Sequence, residues 1–92
     1  MKFEWGPEKS LTNEKKHGIG FIEATTIFGD PFELTIADPD HSVGEYRFIS
    51  IARSDVGNLL VVSYTERHKN SIRIISARRA ERTEKKQYEQ NH

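Results

Sequence analysis

Two arginine-bearing junctions stand out in the second half of the chain, Glu66-Arg67 and Arg78-Arg79, with Arg73 between them. Arginine presents a planar fork of N–H donors that grips phosphate oxygens in pairs and stays protonated. Glu66 is the best-placed carboxylate, either as a base or to orient an arginine. Nearby cations lower a carboxylate's pKa, which favours the orienting role. Phosphate chemistry within reach of such groups includes RNA cleavage without a metal, in which the 2′-hydroxyl attacks the adjacent phosphorus. The step needs a base for the 2′ proton, cations for the charge gathering on the phosphoryl oxygens, and an acid for the leaving 5′ oxygen.

Other residues compete for these roles. His17, flanked by Lys16 and Gly18, is the histidine best suited to act as acid or base, because imidazole titrates near neutrality. At the end of a helix it would equally serve as a favourable cap. Lys16 and Arg82 join Arg73 as candidate RNA phosphate contacts, although Arg73 has a second reading as one half of a structural ion pair. Tyr88 reads first as a packing residue whose hydroxyl finds a polar partner, and second as a base-stacking or proton-relay group. Glu84, four residues before it, is placed to pair with a strand arginine. His68 sits in an exposed turn, as a phosphate contact or as nothing. His41, in Asp38-Pro39-Asp40-His41, has oxygen ligands nearby but no second histidine at ligand spacing, so it reads as a turn. Neither metal nor cofactor is expected.

The totals limit the alternatives. Ninety-two residues make one domain over 1–92, with 35% hydrophobic and 30% charged residues and a formal net charge of zero. That zero hides a polarity. Residues 1–45 hold four Lys/Arg against nine Asp/Glu, a net −5, and residues 46–92 hold ten against five, a net +5. Such asymmetry points to a localised anion-binding face or, more blandly, to solvated charge on a surface helix. Without cysteine there is neither a disulfide framework nor a thiolate site, which fits a reducing cytoplasm. No apolar run approaches the roughly 18 residues of a membrane helix, so no membrane role is expected.

Periodicity then assigns the elements that must position these groups. Phe3 and Trp5 alternate with Lys2 and Glu4 as a short strand. A helix runs from Pro7 to about Lys16, with Leu11 as its main apolar anchor, and stops at Gly18. Phe21, Ala24, Thr25 and Phe28 share the face of a second helix. Phe32 to Ile36 alternates as a strand, with Phe32, Leu34 and Ile36 on one face. Three strands follow, Tyr46–Ile51, Leu59–Glu66 and Ser71–Ile75, joined by turns at Asp55–Asn58 and Arg67–Asn70 as an antiparallel meander. Ser76 is read as the N-cap of a last helix, Ala77–Glu89. That would set Arg78 and Arg79 roughly 100° apart on a helix N-terminal turn. Cations there oppose the macrodipole, a hint that an anion binds. The fold class is α+β.

Several stretches also resemble a known family. They are Phe3-Glu4-Trp5, Asn13 to Ile19, Phe21 to Ala24, Asp38 to Ser42, Glu45 to Phe48, and Thr65 through Ile74-Ile75-Ser76-Ala77-Arg78-Arg79-Ala80 to Tyr88. In this order they resemble the BrnT toxins over nearly the whole chain. The resemblance implies a RelE-like fold and a type II toxin that cleaves RNA and stops growth. It implies as partner a BrnA-like ribbon-helix-helix antitoxin, the pair repressing its own promoter DNA. Where the family commonly has Trp-Asp-Pro, this chain has Trp5-Gly6-Pro7. A non-catalytic nucleic-acid-binding module using the same basic face is the alternative.

Overall fold

Short alternating apolar runs, punctuated by Gly, Asp and Asn, favour a sheet whose flanking helices cover what the strands leave apolar. The computed structural model describes residues 1–41, 44–68 and 70–91. It runs β1 (Lys2–Glu4), α1 (Pro7–His17), α2 (Phe21–Thr25) continuing into a 3₁₀ turn (Thr26–Gly29), then β2 (Leu34–Ala37) and a second 3₁₀ turn (Pro39–His41). After these come β3 (Arg47–Arg53), β4 (Leu59–Arg67), β5 (Ser71–Arg79) and α3 (Arg82–Gln90). The strands lie in the order β1-β5-β4-β3-β2. From β2 to β5 neighbours are antiparallel, extending the expected meander by one strand, and β1 adds in parallel to β5. The α+β reading therefore holds. Ser42, Val43, Lys69 and His92, assigned from sequence to a loop, a turn and a frayed end, lie outside the described residues.

One face of the sheet carries most of the core. Leu60, Val62 and Tyr64 of β4 and Ile72, Ile74 and Ala77 of β5 pack there against Ile19, Phe21, Ala24 and Ile27. The run of apolar residues in β4 is buried on both sides, as expected for a central strand, because Val61 joins Ile51 and Tyr88 on the second face. β2 starts only at Leu34, and as an edge strand it leaves Phe32 and Ile36 49% and 42% exposed. Leu34 and Ile36 share a face of β2, as expected, opposite Ile51 and Ile49 of β3, while Phe32 precedes the strand.

α1 begins and ends where local rules place it. Pro7 occupies its first turn, and Gly18, at φ 76°, closes it by donating its N–H to the Glu14 carbonyl at 2.8 Å. Its anchor is not Leu11, which is 61% exposed, but Asn13, which is 7% exposed. The Asn13 amide donates to the Ile19 and Ala77 carbonyls at 2.7 and 2.8 Å, and its oxygen accepts the Ala77 N–H at 3.1 Å. β1 pairs with β5 only as far as Arg73, so the outer edge of β5 beyond it would otherwise hold unpaired backbone groups. Asn13 pairs with that edge as a strand residue would.

The C-terminal region departs most from the sequence reading. Ser76 does not cap a helix; β5 continues through Ala77, Arg78 and Arg79, paired with Val62, Val61 and Leu60. The helix starts five residues later than expected, at a capping box in which Glu84 accepts the Glu81 N–H at 2.8 Å and Glu81 caps in return. A long ladder to β4 and the Asn13 bonds outweigh the helical preference of Ala77, Arg78 and Arg79. The ladder contains a bulge. Ser63 faces Ser76 and Tyr64 faces Ile74, leaving Ile75 unmatched, so that Ala77 returns to the core side beside Ile72 and Ile74.

Replacing Asn13 with alanine strands backbone groups served by three hydrogen bonds and should cost about 3 kcal/mol in denaturant unfolding. Asn13→Asp sets a carboxylate against two carbonyl oxygens, so it should be worse still at neutral pH and recover partly as pH falls. Leu11→Ser, by contrast, should shift stability by under about 0.5 kcal/mol.

Candidate functional site

The extension of β5 redistributes the arginines. Residues adjacent on a strand project to opposite faces, so Arg78 and Arg79 do not share one site. Arg78 points to the second face and is held by Glu84, with Nη1 at 2.8 Å and Nη2 at 2.6 Å from its two carboxylate oxygens. The expected pairing of Glu84 with a strand arginine is thus found. Arg79 is exposed on the other side and reaches the end of α1, where a Cβ on Gly18 would lie 3.3 Å from its Nη1. The macrodipole argument reverses sign here. Arg79 stands near a helix C-terminus, where a cation is favourable, and no helix N-terminal turn carries the pair.

A cavity of about 370 Å³ opens between α1 and the edge of β5. Lys9, Thr12, Lys16 and His17 line it from the helix, and Ile75 and Ser76 from the strand, with Glu8 and Asn13 completing it. His17 and Lys16 are therefore brought together, in a concavity whose strand wall includes the bulged Ile75 and adjoins the clamp at Ala77. Ser76 was not foreseen as part of any site, since a helix N-cap would have placed it elsewhere. By its pairing with Ser63 it also belongs to the second face of the sheet, so it stands at the junction of cavity and face.

That second face holds the remaining cations. α3 covers it only around Ile51 and Val61. Beyond α3, Arg73 lies in register with Glu4 on one side and Thr65 on the other, and Thr65 is in turn paired with Arg47. Arg67 follows on the same side of β4, its Nε 3.5 Å from Glu4 and its Nη2 3.9 Å from Glu45. These are exposed, loose pairs of small energetic value. Glu66 is exposed and, by alternation, faces away from Arg67, outside the cavity that holds His17. Arg82 is exposed on the first turn of α3. Arg79 is thereby separated from Arg73 and Arg78, which share the second face, and Arg47 and Thr65, to which no role was assigned from sequence, stand beside Arg73. Only register could have revealed them.

Tyr88 has its packing role. It is 5% exposed, and its hydroxyl donates to Asp30 Oδ2 at 2.7 Å while the Arg53 guanidinium carbon lies 5.8 Å from its ring centre. Burial and then the Asp30 carboxylate push the phenol up. Burial alone would raise Asp30, but N–H groups of Arg53 and Phe32 and the Tyr88 hydroxyl outweigh it and leave the carboxyl below its ordinary 3.8. At Glu84 the Arg78 hydrogen bonds dominate over partial burial and hold it below its ordinary 4.5. Among the described residues no three His, Asp or Glu side chains gather to hold a metal ion, and no helix is long and apolar enough to cross a membrane.

Asp30 and Glu84 thus anchor the two ends of α3, and both have depressed folded pKa values. Their contribution is present above the unfolded carboxylate range and is lost as pH falls through the folded values. Thermal melts should be flat above about pH 5 and fall steeply below it. In Asp30→Asn/Glu84→Gln protein the neutral-pH melting temperature should be lower and the acid slope shallower; an unchanged slope would remove these anchors from the account.

The chain matches a family model over residues 5–84, described as the ribonuclease toxin BrnT of type II toxin–antitoxin systems. Among solved structures it is similar to the Brucella abortus ribonuclease toxin BrnT, with a TM-score of 0.65 and 21% identity, covering 89% of this chain and 99% of that one. Among curated proteins no relative matches. At that identity the structural likeness establishes the fold, and the family model, spanning most of the residues and bearing out the sequence resemblance, establishes the kinship. The chain belongs to the BrnT family, the ribonuclease toxins of type II toxin–antitoxin systems.

Proposed function

We propose that the chain is a metal-independent endoribonuclease that cleaves RNA by attack of the 2′-hydroxyl on the adjacent phosphate, in the cytoplasm, so inhibiting translation and growth. The observation that carries this reading is the cavity in which His17 and Lys16 meet Ser76. Imidazole is the side chain suited to give and take protons near neutral pH, and the concavity offers it a defined approach to a bound phosphate. Lys16 within the cavity and Arg79 beside Gly18 supply positive charge next to His17, where charge would gather on the phosphoryl oxygens. Arg73, Arg67 and Arg82 are then contacts to neighbouring phosphates. Arg78 acts by holding α3 through Glu84. Glu66 lies outside this cavity, so it has no part in proton transfer at His17's phosphate in this reading.

The partner in this reading is a ribbon-helix-helix antitoxin whose complex with the toxin binds promoter DNA. Membership of a type II family supports an antitoxin partner, and the sequence resemblance supports that class.

The test is incubation of the purified protein with RNA in EDTA. Cleavage should leave 2′,3′-cyclic phosphate ends, and a 2′-deoxy nucleotide at the scissile position should block it. His17→Ala should slow cleavage by about 100-fold or more while melting as the wild type does. Salt-sensitive binding of RNA that stays intact would instead support the non-catalytic binding module.

A further inference from the structure

We propose that the outer edge of β2 is a docking site for an extended, basic segment of a partner protein, which adds there as a further strand antiparallel to β2. The proposal stands apart from the ribonuclease reading, because it uses no part of the cavity between α1 and β5. The order β1-β5-β4-β3-β2 gives the sheet two edges. The first is managed: β1 is only three residues long, and Asn13 bonds β5 beyond it. Among the described residues no strand covers the outer side of β2. Asp38 donates its N–H to the Arg47 carbonyl at 2.9 Å, so Asp38, Ile36 and Leu34 turn their backbone groups to β3. Thr35 and Ala37 therefore turn their N–H and C=O groups outward, at ladder spacing. Leu34–Ala37 contains no proline, bulge or charged residue, the devices that blunt an edge.

The side chains of β2 select the occupant. Ile36, 42% exposed, lies beside Ile49 on the face that also holds Leu34 and Ile51, so an apolar residue of an added strand would cover it. On the opposite face the Glu33 carboxylate accepts the Thr35 and Ser50 hydroxyls, neutral donors that leave its charge in place. Asp40 is exposed beyond the strand, and residues 33–40 hold three Asp/Glu and no Lys/Arg. An incoming strand thus meets isoleucine on one side and carboxylate on the other, which fits alternating apolar and cationic residues. Its backbone bonds supply affinity and its alternate side chains supply selectivity. The same charges argue against the competing occupants. RNA is repelled by the carboxylates, and a second copy of the chain would set two acidic stretches against each other.

The experiment uses the full chain and a short fluorescent peptide of alternating lysine and valine, with binding read by anisotropy. In the antiparallel pairing the lysines stand opposite Thr35 and Ala37 and aim their backbone N–H groups at the edge. Methylating the lysine backbone nitrogens should weaken binding roughly tenfold, and methylating the valine nitrogens should leave it in place. Ala37→Pro removes an outward N–H where an edge strand tolerates proline, and Ile36→Lys sets a cation against the peptide. Both variants should melt as the wild type does and bind roughly tenfold more weakly. Ile36→Lys and the two methylated peptides decide the matter even where Ala37→Pro fails to fold. Equal binding of the two methylated peptides, or of a peptide with the same residues in blocks, would overturn the proposal by reducing the surface to diffuse charge attraction. So would an absence of binding up to about 1 mM peptide. Wild-type protein that sediments as a dimer, and becomes monomeric in Ile36→Lys, would overturn it in favour of a second copy.

Discussion

The structure depends on one side chain treating a strand edge as though it were another strand. A sheet edge exposes rows of backbone N–H and C=O groups, and a buried edge must satisfy them. β1 covers the first part of β5, and Asn13 takes over at Ala77 with one donor and one acceptor in the arrangement of a backbone amide. Its second N–H bonds the Ile19 carbonyl just past the end of α1. The same residue therefore fixes the helix against the strand and the turn against the helix. Ser10 adds a neighbouring stitch by accepting the Phe21 N–H at 3.1 Å. The position of His17 relative to Ser76, and so the cavity between them, follows from this clamp.

The charges of the chain divide into those that hold the fold and those that face solvent. Arg78 is committed to Glu84, and Asp30 gathers Tyr88, Arg53 and Phe32, so the polar ends of α3 are pinned over a small apolar cluster. α3 is itself short and very polar, and these anchors replace the broad apolar stripe it lacks. Because it covers only part of the second face, Arg47 and Arg73 lie half-buried beyond it, over the buried Thr65. The acidic half of the chain contributes Glu4 and Glu45 near Arg67 and Asp30 beneath Tyr88, which is how the two oppositely charged halves interlock.

Much of the fold was legible in the residues. Pro7 and Gly18 bound α1 because their backbone preferences act within a few residues. The turn at Asp55–Asn58 and the apolar run after it placed β3 and β4 for the same reason. The candidate site was less legible. His17 and Lys16 do share a cavity, but Glu66 and Arg67 face opposite sides of β4, and Arg78 and Arg79 opposite sides of β5.

What the sequence by itself determined is the set of elements, the α+β class and the family, since propensity, capping and patterning are local and motifs are linear. What the tertiary structure decided is which way Ser76–Arg79 went and which side chains became neighbours. Ala77, Arg78 and Arg79 are good helix formers, so partners far away in sequence had to hold them in a strand: Val62 and Leu60 across the ladder, and Asn13, 64 residues before Ala77. The bulge at Ile75 then set which faces Arg73, Ser76 and Arg78 occupy. Register has no local signature, because a shift of one residue leaves composition and spacing unchanged while moving side chains to the opposite face.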